Sequence, residues 1–294
     1  IRRSVRAIGG GLFTAGLIVA GLVFPPPAQA GSTVTTTSAS CASSLNVVAH
    51  QDDDLLFINP AVSDDIAAGR CVVTVFITAG DAGRPAGYWR GREAGAMAAY
   101  AAMADVPNEW LEDTTVVGGH RIARLSLLRS DIVLLFLRLP DAKGNPVRPG
   151  QSLQRLWRGE IGAIGALDSA QVYTRDGLIQ TLTSLMDIYQ PDQIRTLDYH
   201  GPYGDGDHAD HHTAGYLTYA AQRGYRSTHR ISGYLGYPLD FQPENLTEQA
   251  RDEKLGYFLA YAPFDAKVCQ DAEACLSNFY APRFTHSVRT GSET

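Results

Sequence analysis

One histidine and three consecutive aspartates stand together at residues 50–54, whose sequence is HQDDD. Carboxylates this close repel one another unless a cation compensates their charge. The cluster follows an apolar run at residues 45–49, which is typical of a short buried strand. This pattern favours a metal or substrate site at the end of that strand.

A second polar cluster spans residues 205–212, with the sequence DGDHADHH. Five of the eight histidines in the chain lie in or beside the two clusters: His50, His200, His208, His211 and His212. Glycine and aspartate predict a loop around residue 208, and residues 213–215 lead into a helix. Either cluster alone would be interpreted as a solvated loop, but two clusters that each follow a buried strand indicate one site.

The residue types suit a catalytic zinc ion, which takes three protein ligands and keeps one position for water. His50, Asp53 and His211 would supply two imidazoles and one carboxylate. Asp52 would remain beside the metal as a general base, because zinc lowers the pKa of a bound water toward neutrality. Calcium is the competing metal for acidic loops, but calcium prefers oxygen ligands and the two imidazoles favour zinc.

Two further residues of the second cluster have types that suit catalysis. His208 lies three residues before His211 and could face the opposite side of the pocket. A protonated His208 could stabilise an oxyanion and donate a proton to a leaving amine. Asp210 could hold His208 or His211 in one tautomer.

Apolar β-branched runs alternate with helical patterns around the two clusters. Strands are predicted at residues 45–49, 71–78, 130–139 and 194–198, and helices at residues 89–104, 174–189, 211–222 and 246–261. This alternation predicts an α/β domain with a mostly parallel sheet between layers of helices. Ligands of such sheets bind outside the carboxyl ends of the strands, where both clusters lie. No glycine-rich nucleotide-binding motif follows the first strand.

The pattern His-x-Asp-Asp after the first strand, with His-x-Asp-His downstream, resembles the PIG-L family, also called LmbE-like proteins. Family members are zinc-dependent de-N-acetylases of N-acetylglucosamine conjugates, and they have a Rossmann-like α/β fold. The resemblance implies that His50, Asp53 and His211 bind one zinc ion per chain. It also implies that Asp52 is the general base.

The resemblance implies roles for four other residues. His208 takes the acid or oxyanion-stabilising role, and Asp210 supports it. Arg92, in the sequence YWRGRE, resembles an arginine that helps to bind substrate. Tyr203 matches a mobile tyrosine before the second motif, although the spacer after it is longer than usual.

Three positions depart from the family motifs. Gln51 and Asp54 replace the proline and the glutamate of His-Pro-Asp-Asp-Glu, and Ala209 replaces the proline of His-Pro-Asp-His. None of the three is an implied ligand or the implied base. We therefore expect an active enzyme.

Residues 1–30 have the pattern of a secretory signal peptide. Three arginines precede an apolar stretch at residues 7–24, and Ala28-Gln29-Ala30 forms a small-x-small cleavage site. A membrane anchor is the alternative, but five glycines dilute the stretch and a spanning helix needs about 20 apolar residues. We expect cleavage after Ala30, a single deacetylase domain at residues 31–294, and a secreted, extracellular protein.

The chain contains four cysteines: Cys41, Cys71, Cys269 and Cys275. An even number of cysteines in an oxidising compartment favours disulfides, and four allow three pairings. Cys41 and Cys71 precede or begin two runs that could be adjacent strands, so we favour Cys41–Cys71 and Cys269–Cys275. Buried free thiols are the alternative.

Composition and charge limit the classes of partner. Of the 294 residues, 45% are hydrophobic and 19% are charged, which is typical of a globular domain with a sizeable core. The net charge of −6 disfavours nucleic acid and anionic membranes as partners, because both need a basic face. We expect no stable membrane partner after cleavage of the signal peptide.

The leading hypothesis is a metal-dependent N-deacetylase, a hydrolase of a linear amide C–N bond, whose partner is an amino-sugar molecule or glycoconjugate. One alternative is another metal-dependent hydrolase, such as a phosphoesterase, which would favour two metals and more bridging carboxylates. Asp54 and Asp207 are the only spare candidates for that role. The other alternative is a non-catalytic sugar-binding module, which has no reason to keep Asp52 beside three ligands.

Overall fold

The computed structural model describes residues 41–277 and 279–294. The predicted signal peptide at residues 1–30 and its cleavage site lie outside these residues. In the part of the chain that is described, no helix combines the length and the apolar character needed to cross a membrane.

The strands and helices alternate as predicted. The strands are β1 (Ser43–Val48), β2 (Cys71–Thr78), β3 (Trp110–Val117), β4 (His120–Leu127), β5 (Ile132–Leu139), β6 (Ile164–Gly165), β7 (Val172–Tyr173), β8 (Gln193–Leu197), β9 (Arg230–Tyr234) and β10 (Arg289–Glu293). The helices are α1 (Ala61–Ala67), α2 (Ala86–Met103), α3 (Leu153–Trp157), α4 (Arg175–Tyr189), α5 (Ala209–Gln222), α6 (Glu248–Tyr261), α7 (Ala272–Ser277) and α8 (Ala281–Thr285). Asp54–Ile58 forms a π-helical turn, and Tyr237–Phe241 and Ala262–Phe264 form 3-10 helices.

Every strand and helix predicted above is present, with ends that differ by no more than three residues. Thr174 caps the start of α4, because its side chain accepts the N–H of Gly177 at 3.0 Å. His208 caps α5 in the same way by accepting the N–H of Asp210. The helix therefore begins two residues earlier than the sequence pattern indicated.

Eight strands form one sheet in the order β10-β9-β8-β1-β2-β5-β4-β3. The five central strands from β9 to β5 are parallel, and β10, β4 and β3 pair antiparallel at the two edges. The predicted mostly parallel sheet is confirmed. The sequence reasoning missed the β3–β4 hairpin, which turns at Gly118 and Gly119 with φ of 57° and 83°, values that suit the turn between twisted strands.

Helices cover both faces of the sheet, which gives three layers. On one face, the sheet packs against α2 and α6 through residues such as Phe76, Tyr100 and Phe258. On the other face, it packs against α4 and α5 through Leu182 and Leu217. Because both faces are covered, β1 is buried along its whole length.

Both predicted disulfides are present. Cys41–Cys71 links the residues at the start of β1 and β2, and these two strands are parallel neighbours. Cys269–Cys275 closes a short loop between α6 and α7. Among the described residues no cysteine is free.

Candidate active site

The two polar clusters meet at the point in the sheet where the order of strand addition reverses, between β1 and β8. From β1 the chain adds β2 and β5 on one side, and it later adds β8 and β9 on the other. Loops at such a switch point separate and leave a crevice at the carboxyl ends of the strands. The HQDDD segment follows β1, and the loop before α5 follows β8, so both clusters line this crevice.

The three predicted metal ligands lie together in the crevice. Oδ1 of Asp53 is 3.3 Å from Nδ1 of His50 and 3.1 Å from Nε2 of His211. The backbone N–H of His50 donates to Oδ2 of Asp53 at 2.7 Å, which fixes the carboxylate. All three side chains are buried.

The carboxylates around His50 and His211 stabilise positive charge at the two imidazole rings. Burial lowers the pKa of His50 and His211, but neighbouring carboxylates, foremost Asp53, outweigh it. The pKa of His50 is raised well above its usual range, and that of His211 is raised to about 10. Burial raises the pKa of Asp53, yet the two imidazoles hold it well below its usual range.

The donor atoms fit a divalent metal ion. Nε2 of His50 and Nε2 of His211 are buried, and neither has a hydrogen-bond partner among the described residues. Buried imidazole nitrogens without a partner are costly unless something binds them. Nε2 of His211 faces Asp53, and Nε2 of His50 faces Asp141 and Asp210, so each nitrogen lies beside carboxylate oxygen. Imidazole nitrogens and carboxylate oxygens are the donors that zinc accepts.

Asp141, which sequence reasoning missed, extends the acidic wall of the site. It follows β5, and its Oδ2 lies 3.5 Å from Nε2 of His50. Its position after a strand was the available signal, the same one that marked His50. His208 belongs to two overlapping groups of possible metal ligands, and within each group the donor atoms lie within 4.8 Å of one another. One group contains His50, His208 and His211, and the other contains His50, Asp141, His208 and Asp210.

Asp52 lies beside the ligands and is held by Arg92. Nη2 of Arg92 donates to Oδ1 of Asp52, and Asp52 is nearly buried, with 13% of its side chain exposed. Burial raises the pKa of Asp52, although the nearby guanidinium opposes the shift. Arg92 therefore fixes both the position and the orientation of the Asp52 carboxylate, the predicted base.

Arg92 is itself fixed by residues far along the chain. Its Nε donates to the hydroxyl of Tyr261 at 2.7 Å and lies 3.0 Å from Oδ2 of Asp265, while Nη1 donates to the carbonyl of Gly80 at 2.8 Å. Gly95 lets α6 approach α2 here, because a β-carbon would lie 2.6 Å from the Tyr261 ring. The sequence pattern suggested that Arg92 contacts substrate, and the structure places it on Asp52.

Substituting Arg92 by lysine tests which of these roles dominates. Lysine keeps the charge but cannot hold Asp52, Tyr261 and Gly80 with one planar group. We expect kcat to fall by up to about 10²-fold, because small misplacements of a catalytic group cost that much, while KM and zinc content stay nearly unchanged. A raised KM with an unchanged kcat would instead identify a substrate contact. Arg90→Lys, an exposed arginine on the same helix, is the matched control.

His208 faces the metal ligands from the start of α5. Its ring centroid is 4.8 Å from that of His50 and 5.3 Å from that of His211. The N–H of Asp210 donates to its Nδ1 at 3.2 Å, so a neutral ring carries its proton on Nε2. Burial and the neighbouring imidazoles lower the pKa of His208 to about 4. The sequence-based role assumed a protonated ring, whereas this geometry favours a neutral donor.

Asp210 and Tyr203 differ in how closely they approach the ligands. Oδ2 of Asp210 is 3.5 Å from Nε2 of His50 and 3.8 Å from Nδ1 of His208, and it accepts the N–H of Ala142 at 2.9 Å. Tyr203 donates to, or accepts from, the hydroxyl of Thr213 at 2.8 Å. Its ring contacts His212 and Tyr216 of α5 and lies under the guanidinium of Arg158, and none of these is a proposed metal ligand.

The two departures in the first motif have local partners. Nε2 of Gln51 donates to the carbonyl of Thr78 at 3.0 Å, which ties the loop after β1 to the end of β2. Asp54 is buried and accepts the hydroxyl of Tyr100. Burial raises the pKa of Asp54 to about 7. Both residues therefore support the loop from outside the cluster of ligands.

Solved structures of similar fold include two deacetylases and a hydratase. The N,N'-diacetylchitobiose deacetylase from Pyrococcus horikoshii is 14% identical, with a TM-score of 0.49 over 86% of this chain and 84% of that chain. The 4-carboxy-2-hydroxymuconate hydratase from Pseudomonas putida is 14% identical, with a TM-score of 0.45 over 77% and 79%. The A40926 pseudoaglycone deacetylase is 15% identical, with a TM-score of 0.44 over 74% and 80%. Among curated protein sequences no match is found.

A comparison with protein-family models identifies the family of the chain. A model of the PIG-L family, described as GlcNAc-PI de-N-acetylase, matches residues 45–222. The match covers more than half of the chain, from β1 through α5, and it contains both polar clusters. This chain therefore belongs to the PIG-L (LmbE-like) family of deacetylases.

Proposed function

We propose that the protein is a zinc-dependent hydrolase that removes an N-acetyl group from an N-acetylglucosamine-type conjugate. The observation that carries the proposal is the pair of buried imidazoles on either side of Asp53, with Nδ1 of His50 and Nε2 of His211 facing its carboxylate and with neither Nε2 atom hydrogen-bonded within the described residues. Asp52 is held beside them by Arg92, as a base must be. Membership of a deacetylase family supports the same reaction.

His50, Asp53 and His211 would hold the zinc ion, which when bound polarises the amide carbonyl and activates water. Asp52 accepts the proton of the attacking water at Oδ2, the oxygen that Arg92 does not hold. His208 donates a hydrogen bond from Nε2 to the oxyanion that develops on the carbonyl oxygen. Asp52 then returns its proton to the amine nitrogen as the C–N bond breaks, and the acetyl group leaves as acetic acid, which ionises to acetate.

The structure gives little support to a two-metal phosphoesterase. That reaction would need spare carboxylates at the site, and Asp54 and Asp207 were the candidates. Asp54 is instead directed at Tyr100, and Asp207 at Nδ1 of His211. Asp141 and Asp210 also lie at the site, but both face the same nitrogen of His50, so they belong to the centre already described. The separate group of Asp198, Asp205 and His212 includes a contact of 2.9 Å between His212 and Asp205.

An assay of acetate release from N-acetylglucosamine conjugates tests the proposal. We expect release that stops after treatment with a chelator and returns when zinc is added. Phosphate release from phosphoesters, measured on the same sample, would identify the alternative hydrolase. Sugar binding without either product would identify a binding module.

We also propose that the protein is secreted. The pattern of residues 1–30 and the two disulfides support this, because disulfides persist in oxidising compartments. Protein recovered from the culture medium is expected to begin near Gly31. Mass spectrometry under non-reducing conditions should show two disulfides and no thiol that can be alkylated. An intact first segment, or four free thiols, would refute the proposal.

A further inference from the structure

The imidazole of His211 contacts a buried carboxylate on the side away from Asp53. Nδ1 of His211 lies 2.7 Å from Oδ1 of Asp207, four residues earlier in the chain. The side chains of the pair are 0% and 1% exposed. When the Nδ1–H group donates a hydrogen bond to a carboxylate, the proton of the neutral ring stays on Nδ1. The lone pair of Nε2 can then bind a metal. Nε2 is the atom of His211 that faces Asp53 and lacks a hydrogen-bond partner.

Backbone groups fix Asp207 from two segments of the chain. Its Oδ1 accepts the N–H of His208 at 2.8 Å and the N–H of Tyr237 at 3.1 Å. Gly236 makes this approach possible, because a β-carbon there would lie 2.5 Å from Oδ2 of Asp207 and 2.6 Å from Nδ1 of His211. Gly236 and Tyr237 follow β9 and lie outside residues 45–222, which the family model matches.

The sequence pattern offered Asp210 as the residue that orients either His208 or His211. In the structure Asp210 lies near His50 and His208. Oδ1 of Asp207 lies 2.7 Å from Nδ1 of His211, whereas Oδ2 of Asp210 lies 3.5 Å from Nε2 of His50 and 3.8 Å from Nδ1 of His208. Of the two histidines offered for Asp210, it lies near His208, and the carboxylate in contact with Nδ1 of His211 is Asp207.

We infer that Asp207 is a positioning residue that fixes the tautomer and orientation of His211 for metal binding, and that the segment after β9 completes this support through Gly236 and Tyr237. The inference rests on the proposed zinc site. A carboxylate behind a metal-binding histidine makes the ring a better ligand, and its loss typically costs 10- to 100-fold in metal affinity or activity.

The test is the zinc affinity of Asp207→Asn in the full chain, measured by competition with a chromogenic chelator. Asparagine keeps the shape and an oxygen that can accept from Nδ1, but it removes the negative charge that makes the ring a better ligand. We expect zinc to bind roughly 10- to 100-fold more weakly than to the wild type. Asp205→Asn is the matched control, because the side chain of Asp205 pairs with His212 and not with His211. Oδ1 of Asp205 also accepts the N–H of Asp207 at 3.0 Å, which an asparagine oxygen can still do. This variant should keep the wild-type affinity.

Wild-type zinc affinity in Asp207→Asn would overturn the inference and leave the proposed function standing. A wild-type protein that binds no zinc would overturn both. If Asp207→Asn does not fold, the imidazole ¹⁵N shifts of the zinc-loaded wild type decide the matter. We expect His211 to carry its proton on Nδ1, and a proton on Nε2 would contradict the inference.

Discussion

Replacing His211 by alanine is expected to remove most of the bound zinc and, with it, the deacetylase activity. His211 would supply one of only three protein ligands, and its Nε2 has no other partner among the described residues. His50→Ala and Asp53→Ala should have the same effect. Metal analysis of the purified variants by mass spectrometry measures the loss directly.

A histidine outside the crevice provides the matched control. His200 follows β8, and half of its side chain is exposed. His200→Ala should retain the zinc content and activity of the wild type. Near-stoichiometric zinc in His211→Ala would show that the ligand set is wrong and would favour the donor group of His50, Asp141, His208 and Asp210.

Asp52→Asn is expected to lose roughly 10²- to 10⁴-fold in kcat, which is the usual worth of a positioned general base. Asparagine keeps the size of the side chain and an oxygen that can accept from Arg92, but it cannot take a proton from water. Since Asp52 is not one of the proposed ligands, the variant should keep its zinc and its fold. Steady-state kinetics together with metal analysis of the same sample checks both expectations.

The exposed Asp64 on α1 offers a control for the loss of one carboxylate. Asp64→Asn should have the kinetics of the wild type. Full activity in Asp52→Asn would exclude Asp52 as the base. Loss of zinc together with activity would show that Asp52 acts as a ligand.

Much of the fold could be predicted because the central strands are buried on both faces. β2 reads CVVTVFIT, an apolar β-branched run whose ends are clear from the sequence. β3 reads WLEDTTVV and is largely exposed, so it lacks that signal, and its place depends on pairing with β4. The edge strands were missed for this reason.

The proximity of the proposed ligands could be predicted because parallel strands bring their carboxyl ends to one edge of the sheet. That rule placed His50 and His211 together before any contact was known. It does not specify which carboxylate faces which ring. Asp141 was therefore missed, and Asp207 was considered only as a spare carboxylate for a second metal. These pairings depend on backbone contacts between distant loops, such as the bond from the N–H of Tyr237 to Asp207.

The residues that hold Arg92 in place could not be predicted from the sequence. Tyr261 and Asp265 lie more than 160 residues after Arg92, beyond the segment that the family model matches. Single tyrosines and aspartates in a helical stretch carry no pattern that points to a partner. The close approach of α6 to α2 at Gly95 brings them to the site.

Anomalous diffraction from crystals of the zinc-loaded protein, recorded on both sides of the zinc absorption edge, tests the central claim most directly. We predict one peak about 2.0–2.2 Å from a ring nitrogen of His50, a carboxylate oxygen of Asp53 and Nε2 of His211. A peak bound by Asp198, Asp205 and His212, or no zinc peak in the crevice, would contradict the account.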